Sequence, residues 1–364
     1  MPLRDHFNQL KAKAEELNRK HNLLPIGQNS AHQTYVPQGH QGYPGQQPQY
    51  QGQWQPQWQP QGPQPNHYDR PPAAPPVPLH SRPSQSGASP EYQQYPQVYW
   101  RMNPQAAVSV DFEQKQGHGD PYGWGNDELE NYTSHSENSF YTADGKLIVR
   151  AISRPGHPDP EARFTSARLV TRQTLAQTRG CLTAWLTLPR AEGIWPAFWM
   201  LPREPFEWPH EGEVDIAESW NGEIDNHSCL HWGSYVREDL QKHLVRKTPL
   251  PDATHRPVRF DFVWNCENIP YRNDGKSAGG GRLMWCIDGR PIMKNLMPAG
   301  TRPIQDWCVL LNVAMGGTVC KGKTPPEGIY DMVVHGLQMS DGMEGGWGRF
   351  EHEWQNCPDG IVTY

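Results

Sequence analysis

From residue 98 onward, short runs rich in β-branched and aromatic residues are repeatedly cut by Gly, Pro, Asn and Asp. The runs are 146–153, 164–171, 180–188, 197–201, 212–219, 227–233, 258–264, 282–288, 308–315 and 330–339. Most alternate polar with apolar positions, the period of a strand with one buried face. Asp144-Gly145 and Asp288-Gly289 carry hairpin-turn chemistry. No stretch after residue 100 reads as helical. Many short strands at this spacing predict an all-β, antiparallel two-sheet sandwich over residues 98–340, followed by a C-terminal extension, 341–364, packed on it or trailing it.

The first 97 residues have another texture. Residues 1–24 place Leu3, Phe7, Leu10, Ala14 and Leu17 on one stripe and predict a short amphipathic helix. Residues 25–97 are Gln, Pro and Gly in low-complexity order, which buries too little apolar surface to offset the entropy of folding, so disorder is expected. Thirteen of the fifteen Trp lie from Trp100 onward, so the aromatic chemistry belongs to the sandwich.

Charge narrows the function classes. Of the net −6, residues 1–97 contribute +2 and the remainder −8. A mildly acidic, Trp-rich domain lacks the clustered Lys and Arg that neutralise phosphates, so nucleic acid is excluded as a partner. A neutral ligand with apolar faces, such as a sugar, suits it better. No segment is apolar enough to span a bilayer, and the charged N-terminus has no apolar core of a signal peptide, so the chain reads as intracellular. Seven cysteines, odd in number and sparse, read as buried thiols.

The chemistry-bearing stretch is WPHEGEVDIAESW, residues 208–220. Along an extended strand Glu213 and Asp215 share a face, and Glu218 falls on the other. One extra residue, a β-bulge, returns Glu218 to the face of its neighbours. The two glutamates then sit about 13 Å apart at Cα, at roughly 3.3 Å per residue. Inward-leaning side chains close that gap to the carboxyl separation used by retaining glycosidases. Crowded carboxylates repel and force their pKa values apart, leaving one ionised and one protonated, which suits glycoside cleavage.

EGEVDIAES, preceded by EGIWPAFWMLP, resembles the catalytic signature of glycoside hydrolase family 16 in its laminarinase-type form, Glu-x-Asp-x-x-Glu. YGWGNDELENYT, DGKLIVRA, FTSARLVT, SCLHWG, MWCIDG and LLNVAMGG follow the family's order, so the resemblance spans roughly residues 108–339. It implies a jelly-roll sandwich whose concave sheet forms an open sugar cleft. It further implies Glu213 as nucleophile, Glu218 as acid/base, and Asp215 as the group that hydrogen-bonds the nucleophile. Arg168, Trp195, Trp199, Trp208 and His231 match cleft-lining positions, and Asn126 matches one near the non-reducing subsites. The implied activity is retaining endo-hydrolysis of β-1,3- or mixed β-1,3/1,4-glucan. A monomer is expected, with no cofactor and no metal, since paired carboxylates supply both nucleophile and proton. Family members are typically secreted, unlike the compartment read from this N-terminus.

Two positions depart from the family. His335 stands where an Asp often binds structural calcium, and TVCKG after LLNVAMGG lacks the usual Trp. The alternatives are a cell-wall transglycosylase using the same covalent intermediate and a non-catalytic β-glucan-binding protein, although the latter is expected to lose a glutamate that this chain keeps. His227, Cys229 and His231 alternate along one strand but offer too few ligands for a zinc site. Asn131 and Asn226 head glycosylation sequons.

Overall fold

The computed structural model describes residues 95–362, apart from 121, 235–238, 240 and 241. The expected helix over 1–24 and the low-complexity segment, save residues 95–97, lie outside the described residues. In chain order the strands are β1 (Val98–Arg101), β2 (Phe112–Lys115), β3 (Asn131–Tyr132), β4 (Ser139–Tyr141), β5 (Leu147–Ser153), β6 (Phe164–Ser166), β7 (Arg168–Thr174), β8 (Arg179–Thr187) and β9 (Ile194–Pro202). They continue with β10 (Glu213–Glu218), β11 (Asp225–His231), β12 (His243–Pro249), β13 (Val258–Asn265), β14 (Arg282–Ile287), β15 (Arg290–Leu296), β16 (Trp307–Met315), β17 (Gly328–Ser340) and β18 (Ile361–Val362).

They form two sheets. The first runs β15-β14-β13-β8-β17-β5-β6-β3, with β1 beside β17 and β4 beside β5. The second runs β18-β12-β11-β10-β9-β16-β7-β2. The pairings are antiparallel except β3 with β6. This is the antiparallel two-sheet sandwich that the alternating runs predict, and the jelly roll that the resemblance implies. Its core is the alternate residues of both inner faces. Leu182, Ala184, Phe260, Phe262, Trp285 and Met332 come from the first sheet and Phe198, Met200, Val214, Leu230, Val309 and Leu311 from the second, all essentially fully buried.

Every candidate run contains a strand, with one division. The run 164–171 belongs to both sheets, β6 in the first and β7 in the second, and the chain crosses between them at buried Ala167. At 288–289 the turn expected from Asp-Gly is present, both residues having positive φ (48° and 74°).

The expectation of no helix is wrong. Helix α1 is one turn (Val108–Asp111), and α2 spans Gly346–Asn356. Trp347, Phe350 and Trp354 recur at i, i+3 and i+7, a helical period diluted by three glycines from Gly345 to Gly348. Helix α2 packs this face on a second apolar cluster with Cys181, Val263, Met284 and Cys286. Arg282 sits over the rings of Phe350 and Trp354. All seven cysteines are free, and only Cys266 among them is not buried. No helix among the described residues is long and apolar enough to cross a membrane.

Candidate active site

Strand β10 lies at the middle of the second sheet, between β9 and β11. Opposite it on β11, Glu213 faces His231, Asp215 faces Cys229 and Glu218 faces His227. Three steps along β10 from Asp215 to Glu218 thus match two along β11, and likewise two along β9, from Trp199 to Ala197. The extra residue is the expected bulge. Val214, Ile216 and Ala217 turn into the core while Glu213, Asp215 and Glu218 share the outer face.

A bulge leaves backbone groups without ladder partners, and buried carbonyls must find others. Trp285, from the opposite sheet, donates its indole N–H to the Asp215 carbonyl at 3.0 Å. The Ile216 carbonyl accepts from Ser228 Oγ at 2.9 Å and Asn226 Nδ2 at 3.3 Å. Asn226 is therefore buried and engaged, which removes it as a glycosylation acceptor in the folded chain.

Each glutamate receives an indole donor. Trp208 donates to Glu213 Oε2, and Trp195 donates to Glu218 Oε1 at 2.9 Å. Burial and then the charge of Asp215 raise the Glu213 carboxyl to about 7, against a pull downward from His231 and the Trp208 N–H. Glu218 is pushed well above the ordinary range by burial and by the charges of Asp215 and Glu213. The carboxylate between them is 1% exposed, and His231 Nε2 lies 3.2 Å from its Oδ2. Burial lowers the His231 imidazole, but contact with Asp215 and the charges of Asp215 and Glu213 outweigh it and raise it above its ordinary value. His231 Nδ1 is 3.0 Å from His243 Nδ1. Burial and the neighbouring His231 drive His243 down to about 3, so it is the neutral acceptor of that pair.

Toward β7 the outer face becomes an aromatic wall. Arg168 is layered between Trp124 and Trp199, 4.5 and 4.7 Å from their ring centres. Trp199 Nε1 donates to Asn312 Oδ1 at 2.7 Å, and Asn312 Nδ2 donates to Tyr132 Oη at 3.0 Å. Tyr132 in turn points its hydroxyl at Glu128, whose other oxygen accepts from Asn126 Nδ2 at 3.1 Å. Beyond this wall a recess of about 350 Å³ is lined by Lys115, Trp124, Arg168, Arg172 and Arg203.

The candidate residues thus gather on one face, with Asn126 tied to it through Glu128 rather than directly. His227 is set apart from Cys229 and His231, its ring 4.0 Å from that of Trp220. His335, at the position compared with a calcium ligand, contacts Thr187 Oγ1 at 2.9 Å. Sequence reasoning missed the buried carboxyls Glu128 and Glu130, Trp124, Asn312 and His243. For Trp124 a signal existed, the glycine-flanked YGWG that folds with positive φ at both Gly123 and Trp124.

The likeness to known proteins covers this same stretch. The profile of XgeA-like, catalytic GH16 domains matches residues 129–256. A β-glucanase of Rhodothermus marinus is 39% identical over 213 residues, covering 54% of this chain and 67% of that protein. A β-1,3-glucan-binding protein of Penaeus monodon is 32% identical over 175 residues, 42% of this chain and 47% of that protein. The chain spans 30% to 67% of the length of the first curated relatives it matches. In fold it resembles the endo-1,3-β-glucanase of Streptomyces sioyaensis, with a TM-score of 0.56 and 23% identity, over 70% of this chain and 99% of that one.

Proposed function

Because the chain belongs to glycoside hydrolase family 16, we propose that it cleaves β-1,3- or mixed β-1,3/1,4-glucan internally, with retention of anomeric configuration. The observation that carries this reading is the bulged strand, which sets Glu213, Asp215 and Glu218 on one outward face with an indole N–H on each glutamate. The carboxylate of Glu213 attacks the anomeric carbon while the Glu218 carboxyl gives its proton to the departing glycosidic oxygen. The resulting glycosyl ester on Glu213 is then hydrolysed by water, whose proton returns to Glu218. The roles follow from the surroundings. Glu213 has His231 and Trp208 to favour its anion, whereas burial and two neighbouring carboxylates push Glu218 well above the ordinary carboxyl range. Asp215, buried beside Glu213 and 3.2 Å from His231, raises both glutamates through its charge. Trp195, Trp199 and Arg168 supply flat faces and donors for successive sugar rings.

The Penaeus relative gives a second reading, glucan binding without cleavage, and both readings predict affinity for laminarin. Incubation with laminarin, lichenan and a transglycosylation acceptor separates them, with NMR of the first-formed anomer. We expect β-anomeric oligosaccharides and less than about 1% residual turnover in Glu213→Gln and Glu218→Gln, the range of loss for a catalytic acid or nucleophile. Azide restores turnover of an activated glucoside to Glu218→Ala and yields the β-glycosyl azide. Wild-type activity in either Gln variant, or binding without products, overturns the reading.

A further inference from the structure

The outer face of the second sheet carries one buried thiol that this hydrolysis does not use, that of Cys229. It stands directly across from Asp215 in the β10–β11 register, two residues from His231. One ligand atom from each of Asp215, Cys229 and His231 lies within 4.8 Å of the others. Tetrahedral zinc, with bonds of about 2.0–2.3 Å, needs its ligands roughly 3.5 Å apart, so side-chain rotation of about 1 Å closes the set.

Two further observations point to a cation. Asp215 is 1% exposed, and neither of its carboxylate oxygens accepts a hydrogen bond, the ion-pair contact with His231 aside. The ring nitrogen of His231 that faces away from Asp215 meets His243 Nδ1 at 3.0 Å. A polar partner on the nitrogen that does not bind is what fixes the ring of a metal-binding histidine.

We propose that Asp215, Cys229 and His231 form a site for a thiophilic divalent cation of the zinc type, and that its occupation arrests glucan hydrolysis. The arrest rests on the hydrolase reading above; the binding does not. On binding, the Cys229 thiol releases its proton to solvent, and His231 gives up any proton held on Nε2. The cation takes the thiolate sulfur, the Nε2 lone pair and a carboxylate oxygen, leaving a fourth position for water. Sulfur and nitrogen select soft and borderline ions, so Ca²⁺ and Mg²⁺ do not compete. Once bound, the ion breaks the Asp215–His231 contact and places positive charge beside Glu213, weakening it as a nucleophile.

The test uses the full chain, freed of metal, titrated with Co²⁺ and read by the near-ultraviolet thiolate-to-cobalt charge-transfer band. Laminarin hydrolysis is assayed in parallel with Zn²⁺ and with Ca²⁺. We expect a saturable band, inhibition by Zn²⁺ and none by Ca²⁺. Cys229→Ser should lose the band, keep wild-type hydrolysis without metal, and weaken zinc inhibition by about 10–100-fold or more, the range for losing even an outer partner of a metal site. Cys229→Ala replaces it if the serine variant does not fold. A band absent from the wild type, or undiminished in the variant, overturns the site. A band with no hydrolysis under any condition keeps the site and refutes the hydrolase reading instead. Equal zinc sensitivity in wild type and variant overturns the inhibitory role.

Discussion

Trp285 is the residue through which the far sheet holds the active strand, and replacing it with Phe isolates that function. The indole is fully buried and its N–H reaches the Asp215 carbonyl at the bulge. Leaving that carbonyl without a donor costs about 1–3 kcal/mol. The smaller ring adds about 1 kcal/mol of lost contact and cavity. The sum, about 2–4 kcal/mol, lowers the melting temperature on the order of 10 °C for a domain of this size. Trp264→Phe is the matched control. Trp264 is equally buried on the neighbouring strand, and its indole donates at 2.9 Å to the carbonyl of Gln177, away from the site. Both variants should therefore lose similar stability by calorimetry. Only Trp285→Phe should lower kcat on laminarin, by about tenfold or more, because relaxing the bulge moves Asp215 and Glu218 off their shared face. Equal kcat in the two variants, at a temperature where both are folded, refutes the idea that Trp285 holds the catalytic register.

Three other outcomes are expected. Trp208→Phe removes the N–H that stabilises the Glu213 anion, so the acid limb of kcat/KM, expected near the Glu213 value of about 7, should move up by about half a unit to one unit; an unmoved limb refutes the donor's role. Glu213 has a folded pKa above its unfolded value of 4.5, so stability is greatest below 4.5 and falls as pH rises through about 7. Glu213→Gln should therefore melt higher than wild type at pH 8, by on the order of 1–2 kcal/mol, with the gap closing by pH 4. A chain beginning at Val98, the residue that opens β1 opposite Ser340, should keep kcat/KM within about tenfold of the full chain, and a larger loss in a folded truncation refutes dispensability of the tail.

The fold and the centre of the site are largely legible in the amino-acid order. Period-two runs identify most long strands, and the spacing of Glu213, Asp215 and Glu218 by itself requires a bulge if the three are to share a face. What escapes depends on register between distant segments. Nothing local in Trp285 or Ser228 says that they satisfy the bulge carbonyls, and nothing in SCLHWG says that Cys229 lands opposite Asp215. Strands β12 and β15 escape for another reason. With sequences HLVRKTP and RPIMKNL they are polar and half-exposed, so neither a buried run nor clean alternation marks them. Helix α2 escapes because its glycines mask the spacing of Trp347, Phe350 and Trp354.

The crossing at Ala167 has a mechanical consequence. Ser166, last in the first sheet, fastens its hydroxyl to the Val313 carbonyl of the second sheet at 2.7 Å, and Arg168, first in the second, is the guanidinium wedged between Trp124 and Trp199. A single buried residue separates the rivet from the wedge. Sliding of one layer over the other is thereby converted, within two peptide units, into displacement of the aromatic wall. A shift of β5 and β6 would therefore be felt at the aromatic wall within two residues of the crossing.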